Sequence, residues 1–381
     1  MYIHTDIYAI QSPKITGESC GDAYGVFRDE SATTIVLSDG LGSGIRAHIA
    51  ANMCVSRLIG LIKAGFSLRE AFAALSQTMD KAWGNDEPFA VFTVARILNN
   101  GQTTVLSYEM PASLLINHTY SQVIQDRIYT RHKAVVHESS CMLDKDEGLI
   151  LLSDGITQAG MGKIFARGWE IEGVRKFVQS RLPVDRIDGD LFARMVHDKA
   201  RSFGPKGKGD DCSVVLALNR RGVIVNLLTG PPNDILQDEI WVNEFFQSEG
   251  IHLVSGGSTA LLAARIKKQK LITQEHGVIS DLPSYDLDGC ELVTEGIVTL
   301  NQVYNLLDTK IENLTGDNPV IQMCYFLKMA DKVNIWLGTA LNSNDDPLEF
   351  RQLGLLARDK IVEKIINKLD LQGKLVVLKQ N

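Results

Sequence analysis

The sequence predicts an α/β protein in two parts, and three observations carry that prediction. Up to about residue 220, strand-forming runs follow one another as hairpins, with helical patterns inserted after the third strand and again before the last. Beyond residue 220 the order becomes strand, glycine turn, helix, repeated several times, which predicts a mainly parallel sheet covered by helices. The third observation is length: 381 residues exceed one ordinary core and suit two domains, read here as 1–220 and 221–381.

Composition narrows the class. The chain is 45% hydrophobic and 22% charged, a globular profile, and its net charge of -7 disfavours a protein that neutralises nucleic-acid phosphates broadly. A metal-dependent nuclease is disfavoured for the same reason, since no basic stripe appears. The six cysteines, Cys20, Cys54, Cys141, Cys212, Cys290 and Cys324, lack paired Cys-x-x-Cys spacing and read as buried thiols in a reducing compartment. Residues 1–10 lack a basic flank before an apolar core, and no uninterrupted apolar run reaches spanning length. The expectation is a cytoplasmic protein with neither nucleic acid nor membrane as partner.

In order, Ile3 to Ile10 alternates loosely as an edge strand. Tyr24 to Phe27 and Thr33 to Leu37 form a hairpin across Arg28–Ser31, which brings Asp22 and Asp39 to the same end of one antiparallel ladder. Helical spacing follows over Arg46–Ala64, with Ile49, Met53, Leu58 and Leu61 as its apolar positions, and over Leu68–Trp83. Gly84–Pro88 breaks the pattern before a strand at Phe89–Ile97, the Asn99-Asn100-Gly101 turn and a strand at Thr103–Tyr108. Further strands are expected at Ser113–Ile116 and Gln122–Ile128. Gly148–Leu152 is an apolar strand running into Ser153-Asp154-Gly155, and helices are expected over Trp169–Arg181 and Asp190–Phe203. Gly204–Gly209 reads as a flexible loop that feeds a strand over Asp210–Ala217, which the carboxylates Asp210 and Asp211 begin.

Acidic residues therefore stand at strand termini four times: at Asp22, Asp39, Asp154 and Asp210 with Asp211. One such Asp-Gly ending is ordinary turn chemistry. Four carboxylates at one edge repel each other without counter-charge, and divalent cations are the usual counter-charge. Two ions about 4 Å apart can activate water and clamp a phosphoryl group, so the pattern points to phosphate-ester hydrolysis.

Gly21-Asp22, Ser38-Asp39-Gly40-Leu41-Gly42-Ser43-Gly44, Leu152-Ser153-Asp154-Gly155 and Gly209-Asp210-Asp211-Cys212-Ser213 resemble, in order and spacing, the metal-dependent type 2C (PPM) protein serine/threonine phosphatases, most of all the bacterial branch of stage II sporulation protein E. The resemblance covers residues 1–218. It implies an α-β-β-α sandwich of two mainly antiparallel sheets and a site holding two Mn2+ or Mg2+ ions. It further implies Asp39 as bridging ligand with the Gly40 carbonyl on one ion, Asp154 and Asp210 on the other, and Asp22 serving the ion shared with Gly40, directly or through water. Asp39, Asp154 and Asp210 are thus the catalytic set. The implied substrate is a phosphorylated bacterial regulatory protein, by analogy an anti-sigma-antagonist, and the helices over Arg46–Trp83 are implied to be regulatory and to contact it. The arginine that eukaryotic members use for phosphate has no counterpart in Lys14–Glu18, which leaves the metals, Lys14 or Arg46. Tyr108–Ser113 also departs from the Ala-Gly-His-Pro-Pro turn common in the branch. His48 is the best-placed histidine for protonating a leaving group, although an ordinary helix hydrogen bond is its plainer reading. Cys20 and Cys212 lack a base partner and are not nucleophiles.

After a short linker at Arg220-Arg221-Gly222, strands at Val223–Leu228, His252–Val254, Glu291–Val293 and Asn334–Leu337 each run into a glycine turn. Helices are expected up to Gly250, up to Lys267, after Thr299 and from Pro347 to Leu369, with a final strand at Lys374–Leu378. Ligands of such sheets bind outside the carboxyl ends of the strands. Gly256-Gly257-Ser258-Thr259, with Glu295 beside it, is the candidate site for a small anionic ligand or a protein tail that controls the phosphatase. Turn geometry alone accounts for these glycines equally well. The functional readings are therefore a phosphoprotein phosphatase with a sensing module, or a phosphatase-like scaffold that acts by docking; the oligomeric state is open, a homodimer being one option.

Overall fold

The computed structural model describes residues 2–42, 44–82, 89–131, 134–204, 209–274, 283–340 and 352–381. Its chain divides into two units, Ile3–Arg221 and Gly222–Asn381, Tyr2 going with the latter. In the first, β1 (Ile3–Ser12) is the edge of a five-stranded antiparallel sheet, followed by β11 (Cys212–Arg221), β10 (Gly148–Leu152), β6 (Leu114–Ile116) and β7 (Ser121–Val123). The second sheet runs β2 (Asp22–Arg28), β3 (Ala32–Gly40), β4 (Ala90–Leu98), β5 (Gln102–Tyr108), β9 (Ala134–Met142), β8 (Arg127–Arg131) and is also antiparallel.

Period-two alternation assigns each strand residue a layer. Ile35 and Leu37 of β3 join Leu149, Leu151, Val215 and Ala217 in the core between the sheets. Val36 faces the other way, onto α1 (Ile45–Lys63) and α2 (Leu68–Ala82). Ile150 and Leu152 face α4 (Glu170–Gln179) and α5 (Gly189–Arg201). Helices, sheet, sheet, helices is the expected α-β-β-α sandwich. The β2–β3 turn is held by the Asp29 carboxylate, which accepts from the amides of Ser31 and Ala32 at 2.8 and 3.0 Å.

Several elements differ from expectation. Gln122–Ile128 contains parts of two strands in different sheets, β7 and β8. β9 was not expected, because His137, Glu138, Ser139 and Ser140 blur its alternation. On α1, Ile49 and Met53 are 47% and 57% exposed, whereas Ala47, Ala50, Ala51, Cys54 and Leu58 are buried. Small residues let this helix lie close on the sheet, so its largest apolar side chains mark the wrong face. The helix is also long and apolar enough by composition to cross a membrane, although Arg46 and Arg57 interrupt its apolar run; its buried face packs as a core helix does. Arg220 and Arg221 belong to β11 and are no linker. The expected break at Gly84–Pro88, Ser43 of the glycine-rich turn, and residues 205–208 of the expected loop lie outside the described residues.

Arg220 instead donates to the Asp6 carboxylate across β1–β11, at 2.6 and 3.1 Å. Burial alone raises the Asp6 pKa, but bonds from His4 and Arg220 outweigh it and bring it down to about 2. A depressed carboxylate contributes stability above its unfolded value near 3.8, lost as pH falls toward about 2. Asp6→Asn is expected to cost about 1 to 2 kcal/mol at neutral pH, after discounting for partial exposure. It should also flatten the stability loss between about pH 4 and pH 2. Urea unfolding across that range measures this; an unchanged pH slope would contradict it.

The second unit has a seven-stranded sheet in the order β14 (Ile272–Gln274), β15 (Ser284–Asp286), β16 (Leu292–Thr294), β13 (Ile251–Ser255), β12 (Ile224–Thr229), β17 (Lys332–Leu337), β18 (Leu375–Gln380). The five strands from β16 to β18 are parallel, and β14 and β15 add an antiparallel edge that was not expected. One face carries α6 (Asp238–Gln247) and α7 (Gly257–Lys267). The other carries α8 (Ile297–Leu306), the unexpected α9 (Pro319–Met329) and the helix Arg358–Leu371. That last helix begins later than expected, after Gly354 at φ +66°; residues 347–351 of the expected span lie outside the described residues.

Candidate metal centre

The β2–β3 register places Asp22 directly opposite Asp39, and the Gly40 amide donates to the Gly21 carbonyl at 3.1 Å. Gly40 serves close packing: a Cβ there would lie 2.0 Å from the Ala47 carbonyl oxygen at the start of α1. The other sheet delivers Asp154, which opens a single helical turn after β10, and Asp210, which stands just before β11. Gly155 locks these together, since a Cβ on it would lie 2.0 Å from the Asp211 carbonyl oxygen.

Asp22 is buried. Its Oδ2 accepts from the Ser213 hydroxyl at 2.6 Å, and its Oδ1 has no hydrogen-bond partner. Ser213 is itself held by its amide on the Ser153 hydroxyl at 2.8 Å. Asp154 Oδ2 accepts from Gln158 at 2.9 Å, one turn on. Asp210 Oδ1 receives its own neighbour's amide, that of Asp211, at 3.1 Å and the Lys14 ammonium at 3.3 Å. Asp211 in turn accepts from the Lys14 amide at 2.9 Å, which keeps the lysine at the acidic edge. The Ser213, Ser153 and Gln158 contacts were not anticipated; the i, i+4 spacing of Asp154 and Gln158 was the signal for the last.

Burial pushes the Asp39 carboxyl well up, and the charges of Asp22, Asp154 and Asp210 push it further. Asp22 is raised by burial and, against its serine bonds, by Asp211 and Asp154. Asp154, in hydrogen-bond contact with Asp39, is raised by burial first and by Asp210. A like-charged set, buried at Asp22 and half-buried at Asp39, Asp154 and Asp210, with an orphaned carboxylate oxygen on Asp22, fits hard divalent cations. The set approaches in pairs: among the described residues, no three His, Cys, Asp or Glu side chains close on one point as a metal group.

His48 bonds the Cys20 carbonyl through Nδ1 at 2.8 Å, the ordinary helix-anchoring role. Lys14 reaches the carboxylates, and Arg46 is exposed on α1. Burial raises the Cys20 and Cys212 thiols to about 12, which suits inert cysteines.

In the second unit Gly256, at φ +123°, precedes α7, Thr259 Oγ1 accepts from the Gly230 amide at 2.9 Å, and Ser258 is exposed. A Cβ on Gly257 would lie 3.7 Å from Glu295 Oε1, which also takes the Tyr285 hydroxyl at 3.1 Å. The five residues do meet at one edge, with the Glu295 carboxylate beside the helix start, where its charge opposes an anionic ligand.

Two antiparallel sheets that carry aspartates to a shared edge define the first unit as a type 2C (PPM) phosphatase domain. The family model for stage II sporulation protein E (SpoIIE) matches residues 29–219, half of the chain, and the chain belongs to that family. No curated protein matches it significantly. Among solved structures, the PP2C domain with a regulatory fragment of SpoIIE from Bacillus subtilis is 18% identical with a TM-score of 0.49, covering 57% of this chain and 64% of that one. The RsbU and RsbW domains of a Mycobacterium tuberculosis protein are 14% identical with a TM-score of 0.47, covering 64% and 68%. RsbX in complex with magnesium is 17% identical with a TM-score of 0.39, covering 57% and 96%.

Proposed function

We propose that this chain is a metal-dependent phosphoprotein phosphatase that hydrolyses phosphoserine or phosphothreonine on a bacterial regulatory protein. The reading is carried by Asp39, which stands opposite buried Asp22 in the β2–β3 register and in hydrogen-bond contact with Asp154, with Asp210 close enough to raise both Asp39 and Asp154. Asp22, Asp39, the Gly40 carbonyl, Asp154 and Asp210 would hold two Mn2+ or Mg2+ ions. Bound there, such ions supply the activation of water and the neutralisation of phosphoryl charge that the hydrolysis needs.

The chain's own residues do the positioning. Ser213 fixes Asp22 so that Oδ1 remains open. Gln158 orients Asp154, and Lys14 adds a positive charge at Asp210, where phosphate oxygens would gather. We place the protein in the cytoplasm, with an anti-sigma-antagonist as the natural class of partner and the second unit as its control module.

The second reading, a docking scaffold without turnover, is favoured by one observation: three donors do not converge among the described residues. Manganese titration of the full chain separates the two. The phosphatase reading expects a concentration-dependent rise in melting temperature together with phosphate release from an aryl phosphate; neither response would leave the scaffold.

A further inference from the structure

Beside Asp154 and Asp210 lies a cavity of about 210 Å³ lined by Gln158, Met161, Lys163, Arg201, Phe203 and Asp210, among others. Two of its walls belong to the carboxylate site: Asp210 is one of the set, and Gln158 holds Asp154. The volume is below the roughly 300 Å³ where small-molecule and cofactor pockets begin, so it suits one side chain. Its back wall is rigid and apolar, because the Phe203 ring stands edge-on to Phe165 at 5.1 Å and to Trp169 at 5.3 Å. Its rim is formed by a tight loop in which Met161 donates to the Gln158 carbonyl at 3.0 Å and Gly162 to the Phe165 carbonyl at 2.8 Å. Gly160, at φ +74°, allows that loop to press on Phe203, 3.1 Å from where a Cβ would stand.

Among the described residues, two cations line the cavity. Arg201 donates to the Asp210 backbone carbonyl at 3.4 Å and also acts on the Cys212 thiol, contacts that leave donors of its five-donor fork over among the described residues, and Lys163 is exposed. Lys163 and Arg201 set two positive charges against the one lining carboxylate, Asp210, which the proposed ions would neutralise, and above an apolar wall that balance complements a carboxylate on a short methylene stem. We propose that this cavity is a substrate subsite that takes an Asp or Glu side chain flanking the phosphoserine of the target protein. The subsite rests on the phosphatase reading of the neighbouring carboxylates and adds the substrate class to it.

The test uses the full chain with manganese and two phosphoserine peptides that differ only in one flanking residue, Glu or Gln, with an aryl phosphate as the substrate that lacks a flank. The ratio of kcat/KM between the peptides, taken within each enzyme, cancels differences in folding or loading. The wild type is expected to favour the Glu peptide about fivefold, Lys163→Glu to bring the ratio to one or below, and Lys163→Arg to keep it. A wild-type ratio of one, or a ratio that Lys163→Glu leaves in place, overturns the subsite while the phosphatase stands. If neither peptide nor aryl phosphate is hydrolysed, the phosphatase reading fails, and equilibrium binding of the same labelled peptides still decides the subsite: Glu preference lost in Lys163→Glu keeps it, and equal binding removes it.

Discussion

Asp39→Asn is expected to lower manganese-dependent phosphate release by about a thousandfold or more, because Asp39 is the residue that every other carboxylate of the set acts upon. The same substitution should stabilise the metal-free protein. Asp39 is half-buried among like charges, so its folded pKa lies above its unfolded value, and the folded form binds the proton more tightly. Stability conferred by that proton is complete below an unfolded pKa near 4 and is lost as pH rises toward the elevated folded value. Metal-free wild type should therefore lose stability from about pH 4 upward, and the asparagine variant should lose less. Melting temperatures at several pH values, with and without manganese, measure both effects. A variant less stable than wild type at neutral pH without metal would contradict the electrostatic account.

Gly155→Ala is expected to destabilise the first unit by about 3 kcal/mol or more. Its methyl group would lie 2.0 Å from a backbone carbonyl, that of Asp211, and no side-chain rotation relieves such a contact. The strain would reach the site, since Asp211 holds the Lys14 amide and packs against Gly21. Urea unfolding measures the loss; a cost under about 1 kcal/mol would show that the two strands move apart freely. The glycine after the aspartate is required for close approach of two segments, which an isolated Asp-Gly pair in a sequence does not reveal.

The hairpin that sets Asp22 against Asp39 was legible because strand period and turn residues agree there. The parallel sheet of the second unit was legible from its repeated glycine turns. Less legible were features set by long-range packing. β9 is polar enough to lack a strand pattern, yet its neighbours β5 and β8 pair with it. The buried face of α1 is alanine-rich, so a search for large apolar residues selects its exposed face. Within the site, carboxylate positions could be read from strand ends, but their supports could not. Ser213 Oγ reaches Asp22 across 191 positions, and nothing local to either residue signals that bond.

The most direct measurement is the initial rate of phosphate release from a phosphoserine peptide by the full chain as manganese is titrated, for the wild type and Asp39→Asn. The account predicts a rate that rises and saturates with manganese in the wild type and stays near background in the variant at every concentration. A rate independent of manganese, or one that Asp39→Asn leaves intact, would contradict a metal-dependent phosphatase built on these carboxylates.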